Sequence, residues 1–203
     1  MLTARIAVLV SGGGTNLQAL IDAQGRGELP SGVLSLVIAD KPGIHAIERA
    51  QLAGVACAVI PRREPGFEDR VLRALVNYRI DMVVLAGFLG ILSAGFIRRF
   101  GGPIINIHPS LIPAFCGKGF YGLRVHQAAL DYGVKITGAT VHYVNEIPDG
   151  GQILLQKAVE VLPGDTPKIL QRRVMEQAEW VLLPQAAQLV AHELVEKGKK
   201  NHG

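Results

Sequence analysis

The chain has 203 residues, 49% of them apolar and 19% charged, with a formal net charge of +4. That balance and a mean hydropathy of +0.28 exclude a disordered polymer and suit one well-cored domain. Scattered basic residues with 5% aromatics argue against a nucleic-acid groove, and two cysteines, Cys57 and Cys116, supply neither a disulfide framework nor metal-ligand spacing.

Strand-like and helix-like segments alternate along the chain. Residues 6–10 are an aliphatic run fit for a strand buried on both faces, and residues 17–23 have helical spacing. Residues 33–39 and 44–52 repeat the pair, and residues 56–60 and the amphipathic stretch 67–78 repeat it again. Residues 82–86, Met-Val-Val-Leu-Ala, are the most apolar strand and therefore expected at the centre. A short helix at 91–99 and a strand at 104–107 complete the βαβ cadence of a doubly wound, mostly parallel, Rossmann-like α/β sheet. After Pro113 the pattern changes. A glycine-rich loop runs to Gly122, a helix spans 125–132, and long strands at 136–145 and 152–161 predict an antiparallel extension. One final helix is expected over 167–196, with 197–203 as a frayed tail. Without a repeat or a linker, residues 1–203 read as one domain. The uncharged stretch 82–97 is glycine-interrupted and short for a membrane span, and the N-terminus lacks a signal-peptide pattern. The expectation is a cytoplasmic protein, monomer or homodimer, with no membrane partner.

The first turn, Ser11-Gly-Gly-Gly-Thr-Asn16, separates the first strand from the first helix. Glycines permit a sharp turn, and free N–H groups at a helix N-terminus attract phosphate. Leu17 stands where a dinucleotide fingerprint needs its third glycine, and no Gly-Lys-Ser/Thr follows for a P-loop. A cradle for a mononucleotide or sugar phosphate remains, set against a plain turn capped by Thr15 or Asn16.

Farther on, Asn106 and His108 lie two residues apart on a strand and so face the same way, and Asp149 follows the next strand in an Asp-Gly-Gly turn. An amide and a protonated imidazole can hold a developing oxyanion, and a carboxylate can hold the imidazole's charge and manage a proton. The trio therefore suits acyl-type transfer. His142 reads as structural support, His126 as a surface helix residue, Cys116 as a bystander thiol and Trp180 as core. His45 and His202 show no partner pattern.

Val10-Ser-Gly-Gly-Gly-Thr-Asn-Leu-Gln-Ala, Leu85-Ala-Gly-Phe, Asn106-Ile-His-Pro-Ser-Leu-Ile-Pro and Gly138-Ala-Thr-Val-His-Tyr-Val-Asn-Glu-Ile-Pro-Asp-Gly-Gly-Gln-Ile together resemble the folate-dependent phosphoribosylglycinamide formyltransferase family over nearly the whole chain. The resemblance implies the formyltransferase fold, 10-formyltetrahydrofolate as co-substrate, glycinamide ribonucleotide as acceptor in purine synthesis, small-molecule partners only and no metal. It implies that Gly14, Thr15 and Asn16 hold the substrate phosphate, that Asn106 and His108 stabilise the oxyanion with His108 as proton donor, and that Asp149 keeps that histidine charged. It further implies that Glu179 binds ribose hydroxyls and that Leu89, Gly90, Ile91 and Leu92 line the pterin pocket, with Asn106 nearby. Glu64 and Gly90 stand where the family pattern has arginines, so Arg63, with Arg62 as second choice, is expected to meet the anionic folate tail. The stretch 116–122 looks longer than the family's and is expected to act as a flap. A hydrolase of the formyl folate, or a non-catalytic sugar-phosphate-binding module, are the competing readings. The hydrolases carry an added N-terminal domain, not expected with a first strand at Ile6. A methionyl-tRNA formyltransferase carries an added C-terminal domain, not expected with one final helix.

Overall fold

The computed structural model describes residues 3–200. Its centre is a seven-stranded sheet in the order β3-β2-β1-β4-β5-β6-β7. The strands are β1 (Ala4–Val10), β2 (Gly32–Ala39), β3 (Cys57–Val59), β4 (Met82–Leu85), β5 (Ile104–His108), β6 (Ile136–Tyr143) and β7 (Ile153–Glu160). The first five pair in parallel; β6 runs antiparallel to β5, and β7 antiparallel to β6. β4 is the fourth of seven and buried throughout, as its unbroken aliphatic run requires.

Alternation along β1 explains the layering. Ile6, Val8 and Val10 join one core cluster, while Ala7 and Leu9 join the other. The first cluster is covered by α1 (Thr15–Gly25), α2 (His45–Leu52), α5 (Leu123–Tyr132), α6 (Pro167–Val174) and α7 (Trp180–Lys200). The second lies under α3 (Phe67–Asn77) and α4 (Ala94–Phe100). On α3 the buried residues Phe67, Val71, Leu72 and Leu75 fall at helical spacing, so one stripe faces the sheet. α4 starts three residues later than expected because Ser93 caps it, its side chain accepting from the Phe96 N–H at 3.0 Å.

The expected single last helix is broken. A π-helical turn, Met175–Glu179, separates α6 from α7. Pro184, inside α7, has no N–H to give the Trp180 carbonyl one turn back, so the ladder is interrupted where the wide turn ends. Residues 197–200, expected to fray, continue α7. Residues 201–203, including His202, lie outside the described residues.

Candidate active site

The chain turns from β1 to its neighbours on one side, then returns to β4 on the other. Between the C-terminal ends of β1 and β4 lies the topological switch point of the sheet, where such folds bind ligands. A cavity of about 640 Å³ opens there. Its walls include Ser11, Gly12, Thr15, Asn16, the 87–92 segment, Asn106, His108, His142, Asp149 and Glu179.

At the first turn, Gly14 is the N-cap of α1 with φ 72°, and no side chain caps the helix. The alternative, a turn capped by Thr15 or Asn16, is not what the structure shows, and the first N–H groups of α1 are left without a side-chain cap beside the cavity. Gly14 is a glycine for a second reason. A Cβ there would sit 2.8 Å from the Cα and Cβ of Ala46 on α2. The turn is stapled to that helix, the Ala46 N–H donating to the Gly12 carbonyl and Arg49 Nε to the Gly13 carbonyl. A Cβ on Gly12 would meet nothing within 4 Å, and Gly12 lines the cavity. Gly12, more than Gly14, is the position whose side chain would enter ligand space.

β5 carries Asn106 and His108 to the cavity, and register pairs Asn106 with His142 on β6. His142 Nδ1 lies 2.8 Å from the Tyr143 carbonyl, which can only accept, so Nδ1 carries the proton. Its Nε2 lone pair then accepts from Asn106 Nδ2 at 3.2 Å. That contact fixes which way the amide points and leaves one Asn106 N–H for another acceptor. Asp149, in the turn after β6 with φ 56°, bridges the two imidazoles: Oδ2 is 3.6 Å from His108 Nδ1 and Oδ1 is 3.6 Å from His142 Nε2. Asp149 Oδ2 also accepts the Gly117 N–H at 2.8 Å.

The electrostatics differ from the expectation at one point. Burial pushes the His108 pKa below its ordinary value, opposed by the Asp149 charge and the Phe115 carbonyl. His108 thus favours the neutral form in the ligand-free cleft, where a resting cation was expected. Its Nε2 is 2.9 Å from the Phe115 carbonyl and must donate to it. The neutral ring therefore turns a bare Nδ1 toward Asp149. Burial acts against ionisation of Asp149, but the His142 and His108 imidazoles 3.6 Å away and the Gly117 N–H together outweigh it and hold the carboxyl below its ordinary range. A neutral base beside a fixed carboxylate can take up one proton and release it readily.

The wall opposite is Leu89, Gly90, Ile91 and Leu92. The Leu89 N–H donates to Ser11 Oγ at 2.9 Å, and the Ser11 hydroxyl donates to buried Asp40 at 2.8 Å. Arg62 closes the network, with Nε 3.3 Å from Asp40 Oδ2 and Nη1 reaching the Leu89 carbonyl at 3.5 Å. Gly90 makes this possible: a Cβ there would lie 2.8 Å from Arg62 Cδ and 2.6 Å from the Phe88 ring. Arg63 and Glu64, expected near the folate tail, are exposed and absent from the cavity wall, and Glu64 is engaged by Arg70 at 2.6 Å. The cation on this wall is Arg62. Across the cavity the π turn carries Glu179, whose carboxyl accepts from Asn16 Nδ2 at 2.7 Å. Burial pushes its pKa up to about 7, against the Asn16 hydrogen bond.

His142, expected as structural support, serves as that by orienting the Asn106 amide, a contact set by cross-strand register. Two residues differ from the sequence expectation. His126, expected on the surface, is fully buried on α5 and neither ring nitrogen has a protein partner. Trp180 is half-buried and lines a separate cleft beside α1. The Cys116 thiol donates to the Pro113 carbonyl, and burial, then the Asp149 charge, push its pKa up, so it is a poor nucleophile. Among the described residues no group of three or more His, Cys, Asp or Glu is placed to hold a metal, and no helix is long and apolar enough to cross a membrane.

Comparison with known proteins gives consistent matches. A family model described as formyl transferase matches residues 4–186. The phosphoribosylglycinamide formyltransferase of Haemophilus influenzae is 39% identical over 184 residues, covering 89% of this chain and 84% of that protein. The human trifunctional purine biosynthetic protein adenosine-3 is 42% identical over 200 residues, and this chain, 97% covered, spans 19% of its length. The crystal structure of glycinamide ribonucleotide transformylase 1 from Symbiobacterium toebii superposes with a TM-score of 0.86 at 38% identity, covering 94% of this chain and 89% of that one.

Proposed function

From the chain's membership of the formyl transferase family, we propose that it moves a formyl group from 10-formyltetrahydrofolate to the amine of glycinamide ribonucleotide, a step of purine synthesis. The observation that carries this reading is the cluster Asn106, His108, His142 and Asp149 at the floor of a cavity with a phosphate-type turn at one end and an arginine at the other. In this reading the amine attacks the formyl carbon and the carbonyl oxygen becomes an oxyanion, which takes the free Asn106 N–H. His108 Nδ1 accepts the amine proton, and the imidazolium is held by Asp149 and the Phe115 carbonyl. The same proton passes to the departing folate nitrogen, so His108 ends neutral. Glu179 and Asn16 face the ribose, and the first turn of α1 takes the phosphate.

The test is turnover. The protein is mixed with glycinamide ribonucleotide and a 10-formyl folate analogue while folate absorbance is followed. Formyl transfer that requires the ribonucleotide is expected. Loss of formyl to water at the same rate without it would indicate a hydrolase, and binding without turnover a module.

Four substitutions test the subsites. Gly12→Val is expected to raise KM for the ribonucleotide with little change for the folate. Gly14→Ala is expected to displace α2, lowering thermal stability and impairing both substrates. Equal effects of Gly12→Val on both KM values would remove the phosphate from this turn. At the other end, Arg62→Ala is expected to raise the folate KM several-fold, as a partly exposed charge pair of about 1 kcal/mol allows, and less so at high salt. Arg63→Ala is expected to leave it unchanged; the reverse order would return the tail to Arg63.

A further inference from the structure

The loop after Pro113 holds both halves of the proton relay, from Phe115 behind the cavity wall and from Gly117 on it. Phe115 adopts φ 49°, a conformation that costs a non-glycine residue about 1 kcal/mol or more and persists only where its surroundings fix it. Its ring is fixed by an edge-on contact with Tyr132 (centroids 6.0 Å apart) and a tilted contact with Phe120 (6.4 Å). Just before it, the Ala114 carbonyl accepts the Ser110 hydroxyl at 2.6 Å. The outcome is a carbonyl aimed at His108 Nε2, with the Gly117 N–H two residues on donating to Asp149. A histidine's working nitrogen is set by the hydrogen bond its other nitrogen makes. Tyr132, at the end of α5, is 81% exposed and no part of the cavity wall.

We propose that Phe115 is a positioning residue: its backbone carbonyl, aimed by the ring's contacts with Tyr132 and Phe120, holds His108 as the Nε2–H tautomer and turns Nδ1 to Asp149 and the substrate. Its part in turnover rests on the formyl-transfer reading; its effect on the tautomer does not. The charged and titratable groups facing His108 are Asp149, His142 and His126, so the readout must be specific to the His108 ring. Nitrogen NMR of the ligand-free protein over pH gives that. The native chain is expected to show protonated Nε2 and bare Nδ1. In Phe115→Ala the two tautomers should mix and the His108 titration midpoint should move. In the same variant kcat should fall roughly five-fold, as loss of one hydrogen bond of about 1 kcal/mol implies, with its pH profile displaced in step and the ribonucleotide KM nearly constant. Tyr132→Ala, at an exposed position, should move the same signals in the same direction by less, and keeps the test valid if Phe115→Ala does not fold. An unchanged His108 tautomer and midpoint in the folded variants would overturn the proposal. A moved tautomer in a protein without formyl transfer would retain the positioning role and discard the reaction.

Discussion

Replacing His108 by Ala is expected to lower kcat by about 10³-fold while leaving the ribonucleotide KM nearly unchanged. The side chain makes its decisive interactions only as the proton moves, so its loss should appear in the chemical step and not in ground-state binding. Asp149→Asn tests the same relay from the other side. It preserves volume but removes the charge that lies 3.6 Å from both imidazoles, and should also lower kcat strongly. Because the two residues act on one proton, the double variant should be little worse than the poorer single one. Steady-state kinetics of the three variants decides. A His108→Ala enzyme with near-native kcat, or additive losses in the double variant, would dismantle the relay.

The second large effect concerns stability and lies outside the cavity. His126 is fully buried and its ring nitrogens have no protein partner. Burial, with a smaller contribution from His108, pushes its pKa from the ordinary 6.5 down to about 4. The folded state therefore favours the neutral ring, while the unfolded chain protonates near 6.5. Above that pH the ring carries no proton in either state and adds no pH dependence. As pH falls from 6.5 to about 4 the unfolded state gains a proton that the folded state refuses, and stability is lost. The gap corresponds to about 3 kcal/mol, reached near pH 4 and not growing below it. Denaturant unfolding of the native chain and of His126→Leu at several pH values checks this. The variant should gain on the native chain by that amount between pH 7.5 and 4. A difference that stays constant with pH would clear His126 of the acid loss. Glu179 acts in the opposite sense. Its pKa is raised from the ordinary 4.5 to about 7, so its effect on stability is lost as pH rises through that window.

The sequence by itself determined the parts that depend on local periodicity. Aliphatic runs too continuous for a one-sided sheet mark β1, β2 and β4 as doubly covered, and the period-two spacing of Asn106 and His108 puts both on one face of β5 wherever that strand goes. The change of pattern after Pro113 marks the antiparallel strands β6 and β7. What the tertiary structure decided are relations between residues far apart in the chain. His142 meets Asn106 only through the register of β5 against β6, and Asn16 meets Glu179 across 163 residues. Glu179 reaches it from a π turn that helical periodicity does not announce. The choice of Arg62 over Arg63 follows from Asp40 and from the missing side chain at Gly90, against which Arg62 packs, and three separate strand ends bring these together. His126 looks like a surface residue in its own helix because its burial is imposed by the elements packed upon that helix. Side-chain direction along one element is encoded locally, since backbone geometry fixes it. Which element lies opposite, and at what offset, is a property of the whole packed core, and the desolvation that lowers the pKa of His108 and His126 arises only there.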